Sequence, residues 1–318
     1  MSEVVTRFAP SPTGRLHLGH AYSAIQAHDV ARAHGGRFLL RIEDIDGTRS
    51  REEHVAGIVE DLAWLGLVWD GPVVRQSDRL ALYDQALDRL RADGLLYRCT
   101  CTRADIAASL SAPHGPGAVY PGTCRGRDID PTLPHCWRLD MGKALALPLP
   151  AGEGRGPPRS GGKGEDRAAA LPSPFRGFAA PSLSQGERDL IWHDAHAGPI
   201  LAIPEIHGDV VLARKDAPAS YHLAVTLDDA AQGITHVVRG VDLFDSTHVH
   251  RLLQALLDLP TPQYHHHPLL TDASGKRLAK RDGAPTLADL RGQGMEGPVL
   301  ADMLRAGRLP TGFGAAIP

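Results

Sequence analysis

The sequence predicts an α/β fold with a doubly wound parallel sheet, because short apolar runs alternate with helical patterns. Residues 4–8 form an apolar run, and the apolar residues after it recur at helical spacing up to Gly35 and Gly36. Residues 38–42 form a second run, which precedes a pattern with one apolar face that ends at Gly66. Such alternation places helices on both faces of a parallel sheet, so the expected core is Rossmann-like.

This core is expected to span residues 1–98 and 205–270. Ser50–Glu53 has the pattern of a capping box at the start of the second helix. Ser246 or Thr247 is expected to cap the helix that precedes the last strand. The later strands are expected at residues 210–214, 234–239 and 265–270.

Length and charge limit the possible classes of protein. The chain of 318 residues has room for about two domains. Its net charge is -3, so no general basic field indicates a nucleic-acid partner, and any RNA contact must rest on local patches. The N-terminus has no apolar signal region, and the chain has no run of about 18 apolar residues that could span a membrane. We therefore expect a cytoplasmic monomer with no membrane partner.

The segment Arg7–His20 joins the first predicted strand to the first predicted helix through a turn rich in Pro and Gly. His17, Gly19 and His20 lie where that helix begins. Unpaired backbone N–H groups and the positive end of the helix dipole favour a phosphate at such a position. The same histidines are equally compatible with a capping role or with burial, so this segment alone leaves both interpretations open.

A second cationic segment, Gly275–Arg281, follows a turn-rich stretch and places four cations within six residues. Mobile cations that can reach phosphates suit phosphoryl or adenylyl transfer. A Lys/Arg cluster on its own is more often a solvated surface. The segment therefore indicates phosphoryl or adenylyl transfer only in combination with the histidines near the N-terminus.

Together the two segments resemble the signatures of class I aminoacyl-tRNA synthetases. The segment His17–His20 is similar to the HIGH element of that family, and Arg277–Arg281 is similar to its KMSKS loop, although Ala279 replaces the serine and Arg277 the first lysine. The glutamyl-specific branch is indicated by the segments Arg7–Ser11, Arg41–Asp46, Tyr120–Arg125 and Arg239–Leu243. Within that branch the match is best to a shortened form that acts on queuosine in tRNA(Asp).

The resemblance implies that glutamate is activated with ATP to glutamyl-adenylate, with Mg²⁺ on the nucleotide. It implies that His17, His20 and Lys280 are catalytic, and that the same three residues bind ATP together with Gly19 and Arg277. Glutamate would then pass to a hydroxyl of queuosine at the wobble position of tRNA(Asp). The altered residues of the KMSKS-like loop leave the rate of loop closure open.

The resemblance also implies a glutamate pocket. Glutamate carries one ammonium and two carboxylates, which require at least one protein anion and one or more arginines. The family pattern implies that Glu43 takes the α-ammonium, while it leaves open which arginine takes which carboxylate. The implied pocket consists of Arg7, Phe8, Ala9, Pro10, Ser11, Glu43, Tyr221 and Arg239.

Four cysteines in a chain without an export signal indicate a metal site or free thiols rather than disulfides. Their clustering favours the metal over a metal-free hairpin of buried thiols. The cysteines alone favour the set Cys99, Cys101, Cys124 and Cys136, because four thiolates commonly hold structural zinc. The family resemblance implies Tyr120 in place of Cys136. We expect one structural Zn²⁺ in an insertion module at residues 99–140 and leave its fourth ligand open.

A run of three histidines at residues 265–267 also suggests a metal site. Adjacent side chains in a strand point to opposite faces of the sheet. The three residues therefore cannot chelate one ion together, and we assign the run no metal.

Residues 141–190 are expected to form a disordered, low-complexity insertion, because 14 of the 39 residues from 150 to 188 are Gly or Pro. Residues 271–318 are expected to hold the KMSKS-like loop and a short helical tail, too short for an anticodon-binding domain. Two alternatives to tRNA modification stay open. One is a truncated glutamyl-tRNA synthetase that charges the tRNA 3′ end, and the other is a non-catalytic, zinc-containing RNA-binding protein.

Overall fold

The computed structural model describes residues 3–102, 104–106, 119–147, 190–271 and 285–310. Its strands are β1 (Val5–Phe8), β2 (Arg37–Ile42), β3 (Val74–Arg75), β4 (Leu96–Cys99), β5 (Cys136–Leu139), β6 (Ile191–Asp194), β7 (Gly198–Leu201), β8 (Val211–Ala213), β9 (His236–Gly240) and β10 (Gln263–His267). Its helices are α1 (Leu18–Ala33), α2 (Glu52–Trp64), α3 (Leu80–Ala92), α4 (Met141–Ala146), α5 (Tyr221–Ala231), α6 (Ser246–Leu256), α7 (Leu287–Gly292) and α8 (Gly297–Arg305).

The central sheet consists of two parallel halves. One half has the order β1-β2-β3, and the other has the order β7-β6-β10-β9, in which only β7 is antiparallel. The halves meet where the Thr235 amide donates to the Val5 carbonyl at 3.0 Å and the Val5 amide donates to the Thr235 hydroxyl at 2.8 Å. This arrangement confirms the predicted Rossmann-like parallel sheet. Residues 190–204, which the sequence analysis placed outside the core, contribute β6 and β7.

Two clusters of buried apolar residues cover the two faces of the sheet. One contains Leu18 and Ile25 of α1 with Phe38 of β2. The other contains Leu223 of α5 and Leu253 of α6, together with residues of α3. Helices therefore pack on both faces, as a doubly wound sheet requires.

The predicted helix caps are partly wrong. Arg51, not Ser50, is the N-cap of α2, and no side chain caps that helix. The preceding turn causes the offset, because the amide of Ser50 donates to the Asp46 carbonyl and the helix starts one residue later than expected. Neither Ser246 nor Thr247 caps α6, whose N-cap is Asp245.

A small antiparallel sheet of order β4-β5-β8 carries the cysteine-rich module. Cys99 and Cys136 are directly opposite one another in the β4–β5 pair. The module packs closely on residues 208–209. A side chain at Gly208 would bring its Cβ within 2.6 Å of Val119, and the φ of 58° there also favours glycine.

The C-terminal part is helical, as expected, and Thr286 and Asp289 form a capping box at the start of α7.

The range 141–190 that was expected to be disordered begins instead with α4, which buries Met141 and Ala144. The Gly- and Pro-rich remainder, residues 148–189, lies outside the described residues. Within the described part of the chain, no helix has the length and apolar character needed to cross a membrane.

Candidate active site

A cavity of about 470 Å³ opens at the carboxyl ends of β1, β2, β9 and β10, beside the start of α1. This edge of a doubly wound sheet is where ligands usually bind. The predicted site residues that line the cavity are Arg7, Phe8, Ala9, Pro10, Ser11, His17, Gly19, His20, Glu43, Tyr221 and Arg239. The predicted residues Arg277 and Lys280 lie outside the described residues.

The two histidines form an unusual cap at the start of α1. The amide of Gly19 donates to Nδ1 of His17 at 3.1 Å, and the amide of His17 donates to Nδ1 of His20 at 3.3 Å. A nitrogen that accepts a hydrogen bond carries no proton, so these contacts place the ring proton of each histidine on Nε2. The histidines thus cap the helix, which is one of the two interpretations that the sequence left open, and they also line the cavity.

Gly19 lets the His17 ring lie over the start of the helix. A Cβ at this position would lie 3.0 Å from Cε1 and 3.2 Å from Nδ1 of His17. The ring centroids of His17 and His20 are 3.9 Å apart, so His17 has little room to shift away. A side chain at position 19 would therefore displace the cap.

Arg7 is buried and paired with an acid that the sequence analysis did not identify. Its Nε donates to Oδ1 of Asp229 at 2.9 Å, and a second nitrogen donates to Oδ2 at 3.2 Å. Arg41 is fully buried and donates to Asp229 at 2.8 Å. Although burial alone would raise it, the pKa of Asp229 is held below its usual value by Arg7 and Arg41. Much of the charge of Arg7 is therefore compensated within the protein.

Glu43 lies beside this network, with a side chain only 10% exposed. Burial raises the pKa of Glu43 to about 7, although the charges of Arg41 and Arg7 oppose the shift. One oxygen of Glu43 lies 3.5 Å from Arg41. The cavity thus contains a carboxyl group that is partly protonated near neutral pH.

Arg239 differs from Arg7 in its partners. It is 5% exposed, and it donates to Nε2 of His266 at 3.1 Å and to the Thr247 hydroxyl at 2.6 Å. A third nitrogen lies 3.4 Å from the Tyr221 hydroxyl and 3.3 Å from Nδ1 of His250. Among the described residues, no carboxylate lies within 4.0 Å of its guanidinium nitrogens. A buried cation without a counter-ion favours an anionic ligand.

The cysteine module brings four of the predicted ligands together. The sulfur atoms of Cys99, Cys101 and Cys124 all lie within 4.8 Å of one another. The Tyr120 hydroxyl lies 3.4 Å from the Cys99 sulfur and 3.7 Å from the Cys101 sulfur. A tetrahedral zinc site with bonds of about 2.3 Å has ligand separations near 3.8 Å, so this donor set fits the ion.

Cys136 lies outside that group. Its sulfur donates to the backbone carbonyl of Cys99 at 3.4 Å. Although burial alone would raise it, the pKa of Cys124 is lowered to about 7, chiefly by a hydrogen bond with Tyr120. The geometry therefore favours Tyr120 over Cys136 as the fourth member of the set.

Several polar residues of the site were not predicted from the sequence. Asp228 and Asp229 lie in α5, where Tyr221 was the only residue expected to belong to the site, yet both are buried. His266 and Thr247 contact Arg239, although one lies in the unassigned histidine run and the other was expected to cap a helix. The side-chain partners of Asp228 and Asp229 lie 145 or more residues away, so no local pattern could identify these two acids. His266 is 27 residues and Thr247 is 8 residues from Arg239, but their residue types gave no sign of that contact.

Comparison with known proteins identifies the family. The family described as class I tRNA synthetases (E and Q), catalytic domain, matches residues 3–113 and 183–309. The chain belongs to this family. It is therefore an ATP-dependent ligase, which confirms the resemblance found in the sequence.

Two relatives are similar over nearly the whole chain. A glutamyl-Q tRNA(Asp) synthetase from Rhodobacter capsulatus is 49% identical over 297 residues, which cover 92% of this chain and 96% of that protein. A protein of the same name from Symbiobacterium thermophilum is 44% identical over 299 residues, which cover 91% of this chain and 81% of that protein.

The fold also matches a solved structure. A glutamate tRNA ligase from Elizabethkingia meningosepticum, in complex with its amino acid, superimposes with a TM-score of 0.70 at 24% identity. The match covers 99% of this chain and 63% of the ligase chain, so this chain spans less than two-thirds of that ligase. This likeness supports the fold alone.

Proposed function

We propose that the protein activates L-glutamate with ATP and transfers it to queuosine at the wobble position of tRNA(Asp). In the first step, a glutamate carboxylate oxygen attacks the α-phosphorus of ATP, and pyrophosphate leaves. In the second, a queuosine hydroxyl attacks the glutamyl carbonyl, and AMP leaves. The products are a glutamate ester on the tRNA, AMP and pyrophosphate.

The start of α1 stabilises the charge that develops on phosphate in the first step. His17 and His20 accept backbone hydrogen bonds at Nδ1, which leaves Nε2–H as the donor on each ring. Donors fixed before the reaction stabilise a developing anion without reorganisation. Mg²⁺ accompanies the nucleotide, and Lys280 contributes a further cation from the KMSKS-like loop.

The observation that carries the proposal is the buried guanidinium of Arg239, which has no carboxylate partner in the described part of the chain and lies in the same cavity as the two histidines. Arg7 already has a bidentate carboxylate partner in Asp229, so Arg239 is the better partner for a substrate carboxylate. Glu43 supplies the anion for the α-ammonium. Because the α-carboxylate must reach the nucleotide, Arg239 takes the side-chain carboxylate.

The proposal also includes one structural Zn²⁺, which Cys99, Cys101, Tyr120 and Cys124 would hold. This ion ties together two segments that are about twenty residues apart, and it takes no part in the transfer. Its support is the close approach of the four donor atoms and the placement of Cys136 outside the group.

The choice of queuosine is supported by the names of the two relatives, which match this chain over 91% or more of its length. The test compares tRNA(Asp) that contains queuosine with the same tRNA that lacks it, using ATP and labelled glutamate. We expect label only on the tRNA that contains queuosine. Equal labelling of both preparations would favour charging of the 3′ end instead.

A further inference from the structure

Three neighbouring parallel strands place one polar side chain each in a row behind the cavity. Arg239 of β9 and His266 of β10 are partners in the strand register, so their side chains lie on the same face. Asp194 ends β6, on the other side of β10. Its Oδ2 lies 2.8 Å from Nδ1 of His266 and 3.1 Å from the His266 amide. Asp194 and His266 are both almost fully buried.

The row fixes the tautomer of His266. The ionised carboxylate of Asp194 can only accept hydrogen bonds, so Nδ1 of His266 carries a proton and donates to it. Nε2 then accepts from Nε of Arg239 at 3.1 Å, which matches the donor character of the guanidinium. Burial lowers the pKa of His266 to about 4, so the ring stays neutral at physiological pH. Asp194 therefore orients the His266 ring, and this neutral ring, not the carboxylate, contacts Arg239.

Every other described contact of the guanidinium is also neutral. The acceptors are the hydroxyls of Thr247 and Tyr221 and the Nδ1 atom of His250. Burial also keeps the pKa of His250 well below its usual value. This surrounding fixes the geometry of Arg239 without a carboxylate that would compete with a ligand, in contrast to Arg7 with Asp229.

We propose that His266, oriented by Asp194, is a positioning residue that sets specificity for glutamate. It holds Arg239 in place with a neutral acceptor, so that the full positive charge of Arg239 faces the substrate side-chain carboxylate. A protein carboxylate at the same position would neutralise Arg239 and remove the preference for glutamate over uncharged glutamine. This inference rests on the proposed function, because it concerns the same amino-acid site.

The test compares two nearly isosteric replacements that differ in charge, His266→Gln and His266→Glu. Both are made together with Asp194→Asn, so that two buried carboxylates do not repel each other. The measurement is amino-acid-dependent ATP–pyrophosphate exchange with glutamate and with glutamine, and thermal unfolding establishes that both variants fold. Both should bind glutamate more weakly than the wild type.

The Glu variant should raise the KM for glutamate a further tenfold to hundredfold, roughly the effect of losing one charge-assisted contact. Its ratio of kcat/KM for glutamate over glutamine should fall by a similar factor. Equal KM values and equal selectivity in the Gln and Glu variants would overturn the inference. Absence of glutamate-dependent exchange in the wild type would instead overturn the proposed function.

A second pair keeps the inference testable if the His266 variants do not fold. Thr247 contacts Arg239 from the first turn of α6, where an acidic side chain is compatible with the helix dipole. Thr247→Asp should lose more glutamate selectivity than Thr247→Asn. Equal selectivity in this pair would contradict the role assigned to the charge of Arg239.

Discussion

Glu43 has a charge state that changes near neutral pH, because burial raises its pKa to about 7. Only the ionised form can pair with the α-ammonium of glutamate. We therefore expect kcat/KM for glutamate to fall about tenfold from pH 8 to pH 6, as the ionised fraction falls from about 0.9 to 0.1. Glutamate-dependent ATP–pyrophosphate exchange across this pH range measures the effect.

Glu43→Gln is the matched control, because it keeps the size of the side chain and removes its titration. This variant should bind glutamate weakly at every pH and lose the step near pH 7. An unchanged step in Glu43→Gln would assign the titration to another group.

Residues of one charge network show what a sequence can and cannot reveal about a site. Arg7, Glu43 and Arg239 could be predicted because they belong to segments that resemble a family pattern. Asp229 could not, because an acid in a helix is usually exposed, and its two arginine partners are 222 and 188 residues away. Such distant contacts determine that Asp229 compensates the charge of Arg7, whereas Arg239 has no carboxylate partner among the described residues.

The start of α1 combines a histidine cap with the proposed phosphate site, and Gly19 leaves room for the His17 ring. We expect Gly19→Ala to lower pyrophosphate exchange about tenfold or more, because the new Cβ would displace His17 and its Nε2 donor. The free energy of unfolding of Gly19→Ala should be about 1 kcal/mol lower than that of the helical variant Gly57→Ala, because 1 kcal/mol is the usual cost of a lost N-cap.

Gly57→Ala is the control for adding a methyl group to a helical glycine. Among the described residues, the one atom within 4 Å of a Cβ at this position in α2 belongs to Arg15, at 3.8 Å. This variant should keep the exchange rate, and its free energy of unfolding should stay the same or rise by about 0.5–1 kcal/mol. A similar loss of exchange in both variants would show that the effect is not specific to His17.

The elements themselves were predicted well where hydrophobic periodicity is strong. The patterns for β1, β2, α1 and α2 gave their positions to within a few residues. The strand β6 was missed because Ile191–Asp194 adjoins the Gly- and Pro-rich segment, and it contains two polar residues. Its place between β7 and β10 depends on pairing across the fold, which a local pattern does not contain.

At the scale of the whole molecule, the cysteine module is joined to the catalytic sheet through residues 208–209. Arg125 follows the last predicted zinc ligand and donates to Asp209 at 2.6 and 2.9 Å. The same region leads through β8 to Ser220, which caps the helix that begins with Tyr221 of the cavity. The chain thus runs from the contact with the module directly to one wall of the cavity.

The proposed zinc site has Tyr120, and not Cys136, as its fourth ligand. We expect one zinc per wild-type chain, and Tyr120→Phe should weaken zinc binding by at least about 100-fold, because a lost ligand costs more than an outer contact. Cys136→Ser should keep the zinc, since a hydroxyl can still donate to the Cys99 carbonyl. Zinc content and competition with a chromogenic chelator measure both effects.

Chelation of the wild-type zinc should also lower the melting temperature, because the ion binds only the folded module. The same treatment should have little effect on Tyr120→Phe, which already binds zinc weakly. Loss of zinc from Cys136→Ser together with retention in Tyr120→Phe would instead establish the four-thiolate set. In that case Cys136 would have to turn from the Cys99 carbonyl towards the other three sulfur atoms, and the β4–β5 pair would rearrange around the metal.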